Sequence, residues 1–576
     1  MLIMALGLLL FVIVCVIALY LGIRANRGYS DPLKQPFTRH TGYVRFMQDK
    51  HELNQLGLAQ QLTRRMSGFA AFGISFSTLS VIGAAVFLLG PAISVGGPAV
   101  VGFGFPILAL FGIITACSLA SFASSIPTAG GCYHWARAAG GRRLGLLTGW
   151  LHIAGNLLMI ITMNIVCAEW VSRLIETKLG YESRIGTVCL LILFLFLTQV
   201  YAGLGGAGRL GRLFRAAAWL QALSVVAIVA GLAALAWPSA YPLELIYGFA
   251  LGSSSGTGAV SGNEPVLLLG MLLLQRMFLG ADSAAYVAEE THDPRANIPW
   301  AMFLSIVYTF IFGFVLFAML LLQFPVGTTE FPLYNNMANW MGVLAEGLGG
   351  PANAVIVPVF ILFGWGSGLG SMTACVRTLF ALSRDGAVPW SGRLAIVSER
   401  SCAPVNALWV VAAAGLAAAI AVVIGGNGSG LTNDRLVQLV GTSLIALHLS
   451  YSIPIFLKLH GRRKSVFSAV DQAWQLGRIE VVMDWIAVIW LVSSACMTLY
   501  FLSGFIQLLV VSIAVILLAA IELYHKRPNA WKDAHHGPLR IQRKTIEEMI
   551  RIERRFPQKI NQGAGSFPGE AHKTTQ

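Results

Sequence analysis

"FLGADSAAYVAEETHDPRANIP", residues 278–299, passes from an apolar stretch into a charged one within a few residues. It sets Gly280, Asp282, Glu289, Glu290 and several small residues where a helix of apolar neighbours would simply continue. The surrounding chain makes that interruption costly. It is 56% hydrophobic and 11% charged, whereas a soluble domain carries about a quarter charged residues. Runs of about 20 apolar residues, each long enough to cross the hydrocarbon of a bilayer, recur near 2–22, 69–90, 100–123, 145–167, 186–204, 217–236, 266–287, 301–323, 354–381, 407–425, 435–457, 483–503 and 505–524. They are continuous rather than alternating, which excludes a transmembrane β-barrel and predicts about 13 helical spans.

The net charge of +14 invites a nucleic-acid reading, but its distribution argues for topology instead. With residues 24–68 in the cytoplasm and strict back-and-forth crossing, 34 of the 40 Lys and Arg fall on the cytoplasmic side. Arg173, Lys178, Arg184 and Arg435 fall outside, and Arg276 and Arg377 lie within spans. This is the positive-inside bias, and it places the N-terminus outside and the C-terminus in the cytoplasm. No Lys or Arg precedes the first span, so 1–23 reads as a retained anchor rather than a cleaved signal. The eight Cys show no C-x-x-C spacing, so neither disulfides nor a metal site is implied. In the basic tail 525–576, "IQRKTIEEMIRIERRF" (541–556) has apolar residues at helical spacing. It suits a helix on the inner membrane surface and equally a solvated helix.

A second interruption lies half a chain earlier, in "FGISFSTLSVIGAAVFLLGPAISVGGPAV" (72–100). Taken alone, its Ser75, Ser77, Thr78, Ser80, Gly83, Ala84 and Ala85 fit a helix-packing seam. Five spans separate it from the Gly280 interruption, so the two open matching five-helix halves, 69–236 and 266–457, that run in opposite directions. Paired glycine-interrupted spans in corresponding positions point to an inverted-repeat transporter with its substrate site at the breaks. Unwound backbone there offers amide N–H groups to a carboxylate and carbonyls to an ammonium.

Four further stretches carry a family resemblance. "SFASSIPTAGGCYHWARAAGG" (121–141) resembles the cytoplasmic loop signature of amino-acid permeases, and 278–299 resembles their broken-helix motif. "RTLFALSRDGAVP" (377–389), "SYSIPI" (450–455) and the amphipathic "LNQLGLAQQLTRR" (53–65) follow the same family's pattern. The chain from about 50 to 524 is thereby similar to the amino acid–polyamine–organocation (APC) superfamily, most like the amino acid/choline branch that includes γ-aminobutyrate (GABA) permeases. The resemblance implies an all-α integral membrane protein with a LeuT-type 5+5 inverted repeat. Two extra C-terminal helices (483–524) and the N-terminal anchor flank that core. It further implies carboxylate-binding amides at Gly83, Ala84 and Ala85, where the family more often has Gly-Ser-Gly. Ammonium-binding carbonyls are implied near Val81, Ile82 and Leu279, with Gly280 opening the second helix. Sodium-coupled relatives place hydroxyls in the eighth core helix, which here offers Ser371 and Thr373. The lysine that some members carry in the fifth core helix is missing from 217–236. Proton symport, sodium symport and exchange all stay open, and no cofactor is implied.

Trp135, Arg137 and Arg377 read as anchors at the membrane interface, and Glu289 and Glu290 as partners of loop arginines. His448 reads as a satisfied interior group, and Asn156, Gln199 and Gln221 as interhelical hydrogen-bond partners. Arg276 sits one helical turn before Gly280. At mid-membrane it either holds a substrate carboxylate in its fork or pairs internally with Asp282. No nucleophile–base set appears, so the chain does not read as an enzyme. The reading is a secondary transporter in the plasma membrane for a small amino acid or related amine such as GABA, working by alternating access. Alternatives are a polyamine or choline carrier and an amino-acid-sensing transceptor. Its partners are the small-molecule substrate and membrane lipids, not nucleic acid. Thirteen spans predict that tags on the two termini report from opposite faces of the membrane. Accessibility of both tags from one face would remove the anchor or one core span.

Overall fold

The breaks in two helices organise everything around them. The computed structural model describes residues 2–28, 41–180, 185–236, 242–248, 266–323, 350–425, 433–461, 473–502, 507 and 543–556. Among these the chain is helical, with one isolated bridge between Met66 and Thr291. Helix α1 (Leu2–Gly28) is followed by α2 (Thr41–Gln55). The first half comprises the pieces α3 (Gly68–Leu79), α4 (Val81–Phe87) and α5 (Leu89–Gly96), then α6 (Phe105–Ser125), the short α7 (Cys132–Gly140), α8 (Arg142–Leu179), α9 (Ile185–Leu204) and α10 (Gly206–Ala236). The second half begins with α11 (Val266–Gln275) and two 3₁₀ segments, Arg276–Phe278 and Ala281–Glu290. It continues with α12 (Pro294–Gln323), α13 (Gly350–Arg384), α14 (Val405–Ile424) and α15 (Asn433–Gly461). Helix α16 (Ile479–Phe501) and the tail helix α17 (Arg543–Arg555) follow, and short helical segments lie at Val100–Gly104, Leu243–Tyr247 and Ser391–Leu394.

Eleven described helices are long and apolar enough to cross a membrane. The expected span at 69–90 is present as broken pieces, and the expected span at 505–524 lies outside the described residues. The fold is the LeuT-type arrangement, with α3–α5 and α11 with its 3₁₀ segments as the broken pair. Helices α10, α12 and α13 pack against that pair, and α8 and α15 reach it through the side chains of His152 and Tyr451.

Burial explains which faces meet protein. Leu190, Phe194, Leu197 and Tyr201 of α9 and Trp219, Leu223 and Val226 of α10 are exposed. Such surface is unfavourable in water by about 25 cal/mol per Å² and costs nothing against lipid tails. Helix α1 leaves most of its surface exposed. It is held by Phe11 against Phe310 and Phe314, with ring centroids 5.0 and 4.5 Å apart. Arg24 Nε also donates to the Leu476 carbonyl at 2.7 Å.

Two expectations change. Trp135 is fully buried rather than at an interface; its indole N–H donates to the Ile126 carbonyl at 3.1 Å and its ring stacks on Phe122. The tail helix is neither free nor simply surface-bound. Its Glu553 pairs with Lys50 of α2 at 2.6 Å and accepts from the Gln60 amide at 3.2 Å, while Met549 is buried.

Helix α2 is tied to the core by Asp49. Its carboxylate accepts the Asp293 amide at 3.0 Å and lies 3.9 Å from Arg64. Burial pushes this carboxyl up to about 6, with Arg64 and the Asp293 amide opposing. A carboxyl raised in the folded state contributes stability that is complete below its unfolded value and lost as pH rises through the folded one. Between about pH 4 and 6 the native protein therefore gains stability on acidification at this site. Asp49→Asn should flatten the pH dependence of the melting temperature across that window; a slope equal to the parent's would refute the assignment.

Candidate functional site

The first break falls at Ser80, three residues before Gly83. Its backbone is left-handed (φ 46, ψ 79), unusual for a residue with a side chain, and it both ends α3 and starts α4. The Ser80 amide closes α3 onto the Phe76 carbonyl at 3.1 Å. Its hydroxyl accepts the Gly83 amide and donates to the Phe363 carbonyl of α13, each at 3.2 Å. The Ala84 amide reaches the Ser80 carbonyl at 2.8 Å, and Ala85 follows within α4. Gly83 and Ala84 thus have their amides engaged in capping. Helix geometry leaves the first-turn amides of Val81 and Ile82 as the unclaimed donors. At the end of α3, the Thr78 carbonyl accepts the Ser367 hydroxyl at 2.8 Å and the Phe76 carbonyl accepts Gln221 at 3.3 Å.

The second break is wider. After the Arg276–Phe278 turn, Leu279 is extended and Gly280 takes φ 110, a region open to glycine and strained for other residues. Ser75 of α3 stitches the two breaks together. Its hydroxyl donates to the Ala281 carbonyl at 2.6 Å and accepts the Ala284 amide at 3.0 Å.

Two buried charges flank this break without meeting. Arg276 is 2% exposed; its Nη1 donates to the Leu279 carbonyl at 2.5 Å and its Nε to the Met159 thioether at 2.8 Å. Asp282 faces other helices. Its Oδ1 accepts the Tyr451 hydroxyl of α15 at 2.5 Å, and its Oδ2 lies 3.0 Å from His152 Nε2 of α8 and 4.0 Å from the Cys132 thiol. The internal Arg276–Asp282 pair considered from sequence does not form. His152 escaped sequence reasoning because a single imidazole in an apolar run announces no partner; the chain separation of 130 residues is closed only by the fold.

Beyond Asp282 the 3₁₀ segment ends in a sealed ionic layer. Glu290 receives Arg377 Nε and Nη2 at 2.7 and 3.0 Å, and Glu289 receives Arg384 Nη1 and Nη2 at 2.9 and 2.8 Å. Both carboxylates are at most 1% exposed. Arg377 is thus a buried ion-pair partner rather than an interface anchor. Arg64 donates to the carbonyls of Ala288 and Thr291, and the Arg65 and Met66 amides share the Glu290 carbonyl. Next to this layer Asp385 accepts from Tyr133 at 2.8 Å and from Arg137. Burial pushes its carboxyl up, but the hydrogen bond and charge of His134, with Arg137 and Arg384, hold it well below the usual range. Removing one partner from such a buried pair costs about 3–5 kcal/mol, so this end of the molecule is firmly closed.

The remaining expected polar groups are accounted for. Gln199 and Asn164 exchange hydrogen bonds at 3.0 and 3.1 Å, and Asn156 donates to the His152 carbonyl at 3.1 Å. His448 Nε2 lies 2.9 Å from the Gln275 amide nitrogen. In α13 the Thr373 hydroxyl is committed to the Leu369 carbonyl at 2.8 Å, whereas the buried Ser371 hydroxyl has no hydrogen-bond partner among the described residues.

A sequence-family model described as "Amino acid permease" matches residues 66–537. The chain is 27% identical over 463 residues to the amino-acid permease BAT1 homolog of Oryza sativa subsp. japonica, covering 76% of this chain and 85% of that protein. It is also 27% identical over 432 residues to the thiamine transporter thi9 of Schizosaccharomyces pombe, covering 67% and 71% respectively. Among solved structures, a manganese transporter mutant of Eremococcus coleocola superposes with a TM-score of 0.50 at 14% identity, covering 84% of this chain and 95% of that one. That likeness speaks to the fold alone.

A Cβ at Gly280 would lie 2.8 Å from Thr78 Cγ2, on top of the strain of its positive φ. Gly280→Leu is expected to abolish uptake while the protein still reaches the membrane, and Gly280→Ala to reduce uptake about tenfold, a barrier change of about 1.4 kcal/mol. Unimpaired transport by Gly280→Leu would rule out a working break at this position.

Proposed function

The chain belongs to the amino acid permease family, and on that premise we propose that it is a secondary active transporter of a small carboxylate-bearing amino acid or related amine such as GABA. Transport proceeds by alternating access around the breaks at Ser80 and Gly280. The observation that carries this reading is Arg276, buried beside the second break with a carbonyl and a thioether as its polar contacts. An arginine at this depth costs at least about 2.5–3.5 kcal/mol. A substrate carboxylate docking in its fork supplies a direct counter-charge, which Asp282 provides only at longer range. The first-turn amides of Val81 and Ile82 on one side and the backbone of Leu279 and Gly280 on the other face the ligand, with Gly83, Ala84 and Ala85 continuing the helix behind Ser80. Asp282 bounds the same space.

On the orientation favoured by the basic loops, the protein lies in the plasma membrane with the N-terminus outside and the C-terminus in the cytoplasm. The sealed ionic layer then faces the cytoplasm. Release there requires the Glu289–Arg384 and Glu290–Arg377 pairs to part.

A second reading, a carrier of purely cationic amines such as choline or polyamines, is favoured by the Asp282 carboxylate and by the thiamine-transporter relative. Uptake by the purified protein in proteoliposomes separates the two, using a panel of amino acids, GABA, choline and putrescine under imposed sodium or proton gradients. Carboxylate-bearing substrates should be carried, and Arg276→Gln should weaken their uptake at least tenfold with a smaller effect on amines. A sodium-driven response lost in Ser371→Ala or Thr373→Ala would assign coupling to those hydroxyls. Efficient choline or putrescine uptake by the unmodified protein would overturn the carboxylate reading.

A further inference from the structure

The His152–Asp282 contact is the one place among the described residues where a carboxylate and an imidazole meet within the broken-helix region, and its hydrogen bonds leave room for a single mobile proton. The Thr378 hydroxyl of α13 donates to the Ala374 carbonyl at 2.9 Å. It therefore presents a lone pair to His152 Nδ1, 3.3 Å away, a contact that is satisfied when that nitrogen carries the hydrogen. The opposite nitrogen, Nε2, lies 3.0 Å from Asp282 Oδ2. In that tautomer one proton sits between them, on the imidazole or on the carboxyl, because without it two lone pairs face each other. The Asn156 amide nitrogen lies 3.0 Å from Nε2 and 3.4 Å from Nδ1, and its hydrogens serve the His152 carbonyl as well.

Several elements supply the polar and aromatic neighbours of the pair, and the Arg276 charge acts on Asp282 through space. From α15 Tyr451 donates to Asp282 Oδ1, and from α7 the Cys132 thiol approaches Oδ2. On the same 3₁₀ segment, Tyr286 stacks on the His152 ring with centroids 4.5 Å apart. From α3 the Ser75 hydroxyl is occupied by backbone. Arg276, on the preceding turn, is turned to the Leu279 carbonyl. Both His152 and Asp282 are at most 2% exposed.

The geometry points to the His152–Asp282 pair as the proton-loading site of the transport cycle. This rests on the transporter reading above and deepens it by assigning the coupling ion. With the shared proton present, the pair clamps α8 to the segment just past Gly280. When the proton leaves, the carboxylate and the bare Nε2 repel across 3.0 Å and the clamp opens. One proton is taken from water on one face and given to water on the other for each opening; no other bond is made or broken. The clamp is placed to couple because the break that must move for substrate passage is the segment it holds.

Two measurements on the reconstituted full-length protein test this, and they fail separately. The first needs no substrate: infrared difference spectra are taken across an acid titration. A pH-dependent set of carboxyl and imidazole bands is expected that is lost in Asp282→Asn and altered in His152→Gln. Thr378→Val, which removes the Nδ1 acceptor, should also alter it and serves if His152→Gln does not fold. A titration unaltered in all these variants overturns the proposal. The second follows lumenal pH with an entrapped dye while GABA, L-alanine or L-glutamate enters. The parent should carry about one proton per substrate, and His152→Gln should exchange substrate with no proton movement and no pH dependence. Proton flux unchanged in His152→Gln, or accumulation driven by sodium alone, overturns it. Failure of every probe to enter would instead remove the transporter reading, leaving the infrared result to decide the proton site.

Discussion

Every peptide group inside hydrocarbon has to find a partner within the protein, and the two breaks are where that requirement is hardest to meet. Ser75 and Ser80 meet it. Ser80 turns the chain and uses its hydroxyl to cap α4 while reaching α13. Ser75 uses one hydroxyl to satisfy both a carbonyl and an amide of the opposite break. Because each break is satisfied largely by the other half of the molecule or by α13, neither half can hold its unwound backbone alone. Helices α10, α12 and α13 then pack against a pair that is already tied together.

The charges are arranged by the same logic. At one end, Glu289 and Glu290 are paired in two-pronged geometry with Arg384 and Arg377, which satisfies them and leaves nothing for a ligand. At the break, Arg276 and Asp282 stand apart, one against a carbonyl and a thioether, the other against a phenol and an imidazole. Full pairing makes a gate layer that resists opening. Partial satisfaction leaves the groups on which the proposed substrate carboxylate and coupling proton would act.

Much of this was legible in the residues. The apolar runs showed an all-helical membrane protein because span length is set by bilayer thickness. The matched interruptions at 72–100 and 278–299 showed which helices break, because small residues and glycine are what an opened helix needs. Glu289 and Glu290 could be matched to loop arginines because only basic partners make such carboxylates tolerable when buried. The first break itself was less legible. Glycine drew attention to Gly83, yet the turn is made by Ser80, whose left-handed backbone is stabilised by bonds to Phe363 and Gly83 that no local pattern announces. Trp135 misled for a related reason: an aromatic near a helix end suits an interface, but here α7 folds inward and buries it.

The sequence by itself determined that the chain crosses a membrane repeatedly, that two helices half a chain apart are interrupted, and that its basic loops alternate, since hydrophobic length, helix-breaking composition and charge are local properties. Only the tertiary structure decided which buried polar groups meet. Arg276 and Asp282 are six positions apart and look like partners, but the extended Leu279 and the positive φ of Gly280 carry their side chains to different neighbours. His152 and Tyr451 reach Asp282 across 130 and 169 residues because α8 and α15 pack beside the break. Pairing of that kind depends on where helices stand relative to one another, and helix placement is settled by packing over the whole core rather than by any stretch of sequence.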